Sequence, residues 1–308
     1  MAKAIFGLLG AMVGAGFASG REILHFFSRW GIFSWPLILG ASVLMAALMR
    51  RSLEGRTGAL AHFPGKALAL PLLIATGGGM TAAAGELAAL MIPIRHARTL
   101  GALLTLGGCL LCCEKPLGAL SILGKVLIPT LAGTMILCVI TAEKGGSATT
   151  VALSSLPLAV AQAAGYGGLN VTLATGVLAD VGKGTSQREK TILAWATGAG
   201  FCLLLCLGNG ALLPCAIQME SAALPTVLLL RRFGKAGYYL AGALLYLAVV
   251  STLLSVLRGM TALLPGRRRA VWAGLLAAGA SLLGFEGIVG AAYPALGLLS
   301  LFFLLAPP

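Results

Sequence analysis

Val13-Gly14-Ala15-Gly16-Phe17-Ala18-Ser19-Gly20-Arg21-Glu22 interrupts the first apolar span of the chain, and its reading decides the fold. From Ala4 to Ala18 the residues suit a helix in hydrocarbon. Glycines then stand at 14, 16 and 20, an Arg-Glu pair follows, and apolar residues resume at Ile23, Leu24, Phe26 and Phe27. Glycine costs a helix about 1 kcal/mol relative to alanine and accepts non-helical dihedrals. In a bilayer, N–H and C=O groups released from a helix persist only where protein or a wet cavity satisfies them. Two readings follow. Either backbone is turned towards a ligand, or a glycine-rich helix packs closely on its neighbours through small-xxx-small contacts.

Of the 308 residues, 58% are hydrophobic and 10% charged, and apolar runs of span length recur from end to end. That composition excludes a soluble domain. Ten spans use roughly 200 residues, so 1–308 reads as one transmembrane domain in a lipid bilayer with short loops. The net charge of +13 sits in small groups between apolar runs, which is loop decoration and not a nucleic-acid stripe. Six of the seven cysteines (109, 112, 113, 138, 202 and 206) lie inside spans, and only Cys215 falls in a loop. Cys109-x-x-Cys112-Cys113 has no companion Cys/His cluster, so these read as small buried hydrophobes. No HExxH and no nucleophile–base pair occurs in the spans, which speaks against an enzyme.

The expected spans are Ala4–Trp30, Ile32–Met49, Ala67–Met91, Leu100–Cys113, Leu117–Thr141, Val151–Val181, Thr191–Leu213, Gly237–Leu257, Ala270–Leu283 and Gly287–Leu305. A polar loop, Ala142–Thr150, divides them five and five, and Leu224–Leu230 suits a short helix lying on the surface. Loops on the N-terminal side hold 13 Lys and Arg, among them Arg50, Arg51, Arg56, Lys66 and Arg267–Arg269; the opposite loops hold 7. Positive-inside bias then puts both termini in the cytoplasm. Span 6 carries its own glycine cluster, Gly165-Tyr166-Gly167-Gly168-Leu169-Asn170. Interruptions in spans 1 and 6, the first of each half, match inverted repeats (about 2–141 and 151–306), whose broken helices mark a secondary transporter's substrate site.

The run Gly14-Ala15-Gly16-Phe17-Ala18-Ser19-Gly20-Arg21-Glu22-Ile23 resembles the opening of the YkvI-like bacterial membrane proteins, as does Gly284-Phe285-Glu286 through Tyr293-Pro294-Ala295-Leu296-Gly297. The resemblance covers span 1 well, the last two spans moderately, and the middle by topology. It implies an all-α, LeuT-type five-plus-five fold of the amino acid–polyamine–organocation superfamily. By that resemblance one Na⁺ would lie between the carbonyls of Gly10 and Val13 in span 1 and, in span 8, the Ala248 carbonyl with the Ser251 and Thr252 hydroxyls. Ala248, Ser251 and Thr252 share a helical face at i, i+3 and i+4. The plainer reading is that the two hydroxyls bond back to their own helix. The family's Asn after Gly-x-Gly is Phe17 here, which argues against a second ion. In proton-coupled relatives a span 5 lysine occupies the sodium position. Lys125 lies roughly 12 Å into span 5 at 1.5 Å per residue, so H⁺ coupling through Lys125 competes with Na⁺ coupling.

Few other ionisable groups fall within the spans, so each is weighed for function. Glu22 either receives a substrate amine or pairs with Arg21 as part of a gate, and His25 stands one turn on. Glu86 lies near the end of span 3, and Asp180 reads as a helix-end charge beside Lys183. Gly14, Ala15, Gly16, Phe17 and Ala18 of span 1, with Gln162, Gly165, Tyr166, Gly167 and Asn170 of span 6, form the expected substrate site. Half-helix N-termini there favour an anionic group, so a small zwitterion such as an amino acid fits better than a simple amine. The expectation is a Na⁺-coupled symporter working by alternating access. The other classes are an H⁺-coupled transporter, a passive channel, and a membrane scaffold or sensor.

Overall fold

The computed structural model describes residues 1–55, 63–113, 118–141, 153–220, 222, 224–288 and 292–305, all in helices, turns and short connections with no strand among them. The first span is α1 (Ala2–Met12), α2 (Ala15–Ala18) and α3 (Arg21–Phe26), closed by a 3₁₀ segment at Ser28–Phe33. Then come α4 (Ser34–Leu53), α5 (Phe63–Met91), α6 (Ala97–Cys112) and α7 (Gly118–Ile140). The second half runs through α8 (Leu156–Leu173), α9 (Thr175–Val181), α10 (Gln187–Leu212), α11 (Ala216–Met219) and α12 (Pro225–Arg231). It ends with α13 (Gly234–Leu263), α14 (Arg269–Ser281), α15 (Phe285–Gly287) and α16 (Tyr293–Leu305).

Five helical stretches are long and apolar enough to cross a membrane: Ser28–Leu53, Ala69–Met91, Ser121–Ile140, Gln187–Met219 and Gly234–Leu263. This is the make-up of a multi-pass membrane protein. The surface agrees with it. Leu104, Leu111, Ile140 and Leu203 are exposed, whereas Glu22, Asn170, Asn209, Ser251, Thr252 and Ser255 are buried. Polar groups inside and leucines outside suit a solvent of hydrocarbon.

Helix α13 is the central post, packed against α1, α2, α5, α7, α9 and α14. Helix α8 runs against α16 and α4. The glycines of α8 explain its course. A Cβ at Gly165 would meet the Leu298 amide nitrogen at 3.2 Å, and one at Gly168 the Leu301 nitrogen at 2.8 Å. These glycines bring two backbones together without freeing either. The helix therefore continues through Gly165–Asn170, where a break was expected, and the interruption in this span falls at Ala174.

One other expectation is corrected. The short helix near Leu224–Leu230 does not lie flat on the surface, because Pro225, Thr226, Leu229 and Leu230 are buried and α12 packs on α13. Among the charges that set the expected orientation, Arg56, Lys115 and Lys144 lie outside the described residues, as does the Ala142–Thr150 loop.

Candidate functional site

The interruption in span 1 is backbone geometry first. Val13 closes α1 by donating to the Leu9 carbonyl (2.8 Å). Gly14 is extended (φ −88°, ψ −176°), and its N–H turns back to the Met12 carbonyl (3.0 Å). In a continuous helix that N–H would serve Gly10. A single turn, α2, follows; Ser19 Oγ donates to the Gly16 carbonyl (3.0 Å). Gly20 then takes a left-handed φ of 80°, where a Cβ would also come within 2.9 Å of Leu212 Cδ1 and Thr226 Oγ1. Only glycine meets both conditions cheaply. The amide of Thr226 donates to the Ser19 carbonyl (2.8 Å), so the N-terminus of α12 is fastened to the interruption.

Opening the chain here turns Arg21 and Glu22 apart. Arg21 Nη1 donates outward to the carbonyls of Glu220 (2.6 Å) and Ala222 (3.0 Å). Glu22 turns inward and is buried, and Tyr166 Oη donates to its Oε2 (3.0 Å). The expected Arg21–Glu22 pair does not form, because consecutive residues on a helix point about 100° apart at 3.6 residues per turn. Above Gly16 the Glu22 carboxyl fills the side-chain volume: a Cβ there would lie 2.6 Å from the carboxyl carbon. Around Tyr166 stand Phe26 (ring centroids 4.9 Å apart), Phe27 (5.2 Å) and Phe201 (6.2 Å), and Phe17 packs on Phe201 at 5.3 Å.

Along α8, Gln162, Tyr166 and Asn170 share one face at i, i+4 and i+8. Asn170 Nδ2 donates to the Tyr166 carbonyl (3.0 Å), while Asn170 Oδ1 and Gln162 Oε1 are buried with no partner among the described residues. The structure thus joins Gly14–Ala18 and Glu22 to Tyr166 and Asn170. Gly165 and Gly167 instead face helix backbones, Gly165 that of α16 and Gly167 the Ala41 carbonyl of α4.

Two hydroxyls of α13 reach the two interruptions. Thr252 Oγ1 faces the Ala11 carbonyl (3.5 Å), and Ser255 Oγ donates to the Leu173 carbonyl (3.1 Å). A Cβ at Gly14 would meet Thr252 Oγ1 at 3.2 Å, so the hydroxyl sits directly over the break. Of the expected ion ligands, Gly10, Val13, Ala248, Ser251 and Thr252 are all buried at this junction of α1 and α13. Ser251 Oγ bonds back to the Ala248 carbonyl (3.0 Å), the plainer reading for that residue. The carbonyl in reach of Thr252 is that of Ala11, one residue after Gly10.

Lys125 and Glu86 are not brought to this place. Lys125 is exposed on α7, since the neighbouring Gly124 takes the face that packs on the Phe6 backbone. Glu86 pairs with Arg98 (2.7 Å) in a partly exposed bridge between α5 and α6. Asp180 does more than close a helix beside Lys183: Arg258 Nε of α13 donates to it at 2.5 Å, and Arg258 Nη1 also donates to the Cys113 carbonyl (3.3 Å). Ser255, Phe201 and Arg258 were not singled out in the sequence, nor was Asn209. Buried Asn209 bridges Ser28 and Ser34 at 2.9 Å each, tying the end of span 1 to α4. A polar residue in the middle of an apolar run was the available signal for Asn209 and Ser255.

Cavities flank the site. One of about 380 Å³ lies among Ser52, Leu53, Gly176, Ala179, Lys183 and Gly259. Another of about 210 Å³ lies among Arg21, His25, Arg29, Ile217 and Glu220. No protein-family model matches the chain, and no curated protein matches it in sequence.

Proposed function

We propose that the protein is a secondary transporter that carries a small organic solute across a bacterial inner membrane by alternating access, with Na⁺ bound where α1 opens beside α13. The observation that supports this most directly is the interrupted first span. Its released backbone faces the Thr252 hydroxyl on one side, and its polar side chain, Glu22, meets Tyr166 of the opposite half on the other. Broken helices around a polar centre suit alternating access between inverted five-helix repeats. A ten-span LeuT-type arrangement of the YkvI-like kind is the architecture this reading uses. The solute would sit among Phe17, Gln162, Tyr166 and Asn170. The unbroken course of α8 through Gly165–Asn170 removes the helix N-terminus that favoured a carboxylate there. The acceptors that remain favour the amine end of a solute.

The test is unfolding of the detergent-purified protein in NaCl against choline chloride at equal ionic strength, followed by uptake into proteoliposomes. An ion that binds only the folded state stabilises it by about 2.7 kcal/mol at 100 times its Kd. We expect sodium-specific stabilisation that is lost in Thr252→Ala and largely kept in Ser251→Ala, whose hydroxyl is already engaged on its own helix. A sodium effect unchanged in Thr252→Ala removes the ion from this place. Uptake that is insensitive to any ion gradient removes secondary transport.

A further inference from the structure

Glu22 is buried, its hydrogen-bond partner is a neutral phenol, and among the described residues no cation lies within ion-pair distance of it. The titratable groups around it are few. Tyr166 of α8 touches it, and Tyr293 of α16 lies within electrostatic reach. On its own helix, Arg21 is committed to the Glu220 and Ala222 carbonyls, and His25 lies with Arg21 and Arg29 at the smaller cavity. Helix α2 holds no titratable residue, and α10 meets Tyr166 with the ring of Phe201. An uncompensated carboxylate in such a place is strongly disfavoured, so something positive must neutralise it.

Packing decides what does so in this state. The carboxyl fills the volume above Gly16, and aromatic rings close on Tyr166, so a proton fits and an organic cation does not. The surrounding chemistry nevertheless suits an organic cation once the helices part. Among the described residues the side-chain oxygens of Gln162 and Asn170 are unpartnered acceptors on the Tyr166 face, and Phe17, Phe26, Phe27 and Phe201 supply π faces. We propose that Glu22 is an exchange site, at which a proton and the ammonium group of an amine solute take turns neutralising one buried carboxyl. The step balances. The neutral acid gives its O–H proton to water as the ammonium arrives, and the carboxylate–ammonium pair that results carries the same net charge of zero. One proton leaves for each amine bound, so on the transport reading, which this inference extends, each amine is exchanged for a proton at Glu22, a place separate from the Na⁺ position between α1 and α13.

The experiment titrates detergent-purified full-length protein with butylammonium and benzylammonium chloride in weakly buffered solution containing a pH indicator, in both NaCl and choline chloride. Each bound amine should release close to one proton, and the apparent affinity should rise about tenfold per pH unit while the carboxyl is protonated. Glu22→Gln should abolish both the release and the pH dependence. Tyr166→Phe keeps the carboxyl and should keep the release. If Glu22→Gln does not fold, the wild-type stoichiometry and pH dependence carry the test alone. Amine binding without proton release, unchanged binding in Glu22→Gln, or no binding of either amine overturns the proposal. Failure here and failure of transport can be told apart. Uptake of another solute without amine binding sinks the exchange site alone, whereas amine binding with proton release but no flux upholds the site and sinks transport.

Discussion

At Gly16 a hydrogen stands where other residues carry a carbon, and the Glu22 carboxyl occupies that space. The two positions therefore depend on each other. Gly16→Ala should destabilise the protein by about 1–3 kcal/mol, the usual range for overpacking, because Cγ, Cδ and Oε1 of buried Glu22 would all lie within 2.7 Å of the new Cβ. In a Glu22→Ala background the same substitution should cost much less, giving a coupling between the two of about 0.5–3 kcal/mol. Denaturant unfolding of the four proteins in detergent checks this, and additive effects would mean that the carboxyl does not fill the Gly16 volume. Part of this was legible in the sequence: three glycines and an acid inside an apolar span marked where the helix is interrupted. The directions taken by Arg21 and Glu22 were not. They depend on which neighbours the turn at Gly20 presents, Glu220 and Ala222 on one side and Tyr166 on the other, and those lie far away in the chain.

Two broken helices need partners for the carbonyls they release, and α13 supplies both from hydroxyls three residues apart. Ser255 is the clearer case. The N–H that would serve Leu173 in a continuous helix, that of Val177, bonds to Ala174 instead, leaving the Ser255 hydroxyl to satisfy the Leu173 carbonyl. Ser255→Ala should therefore cost about 1–3 kcal/mol, the penalty for an unsatisfied buried acceptor, and should speed amide exchange across α9. Thr172→Val is the control. Its hydroxyl only returns to the Gly168 carbonyl of its own helix, so its loss should change unfolding and exchange little. Equal effects from the two would remove Ser255 from the interruption. The same elements show where glycine reading succeeds and fails. Hydropathy located apolar helices, five of them long enough to cross a membrane, since length and apolarity are local properties. The glycines of α1–α2 release backbone, whereas those of α8 lie against α16 and α4, and a glycine cluster looks alike in both roles. What separates them is the neighbouring helix, which one segment of sequence does not contain.

At the scale of the molecule, the larger cavity is lined by Ser52 and Leu53 at the end of α4 and the smaller by Arg29 of the 3₁₀ segment that leads into it, and α4, a helix of 20 residues, is about 30 Å long at 1.5 Å per residue. The larger lies where α4 ends at Arg50 and Arg51, and beside it Arg258 holds Asp180, clamping α9 to α13. In the proposed orientation, which rests on positive-inside bias, this end faces the cytoplasm. A membrane-impermeant thiol reagent reads the sidedness once the seven native cysteines are replaced. Ile217→Cys, at the smaller cavity, should label in intact cells, and Ala179→Cys, at the larger, only after permeabilisation. The reverse pattern would invert the orientation, and labelling of both from one side would contradict cavities on opposite faces. The clamp adds a conformational term. Asp180→Asn removes the charge that holds Arg258, so α9 should part from α13 more often and Ala179→Cys should label faster in permeabilised cells, while Ile217→Cys labels no faster or more slowly. That opposed response is what alternating access requires, because opening one end draws population from states open at the other. If both positions label faster, Asp180→Asn has loosened the bundle as a whole, and the Asp180–Arg258 pair is a structural tie and not a gate.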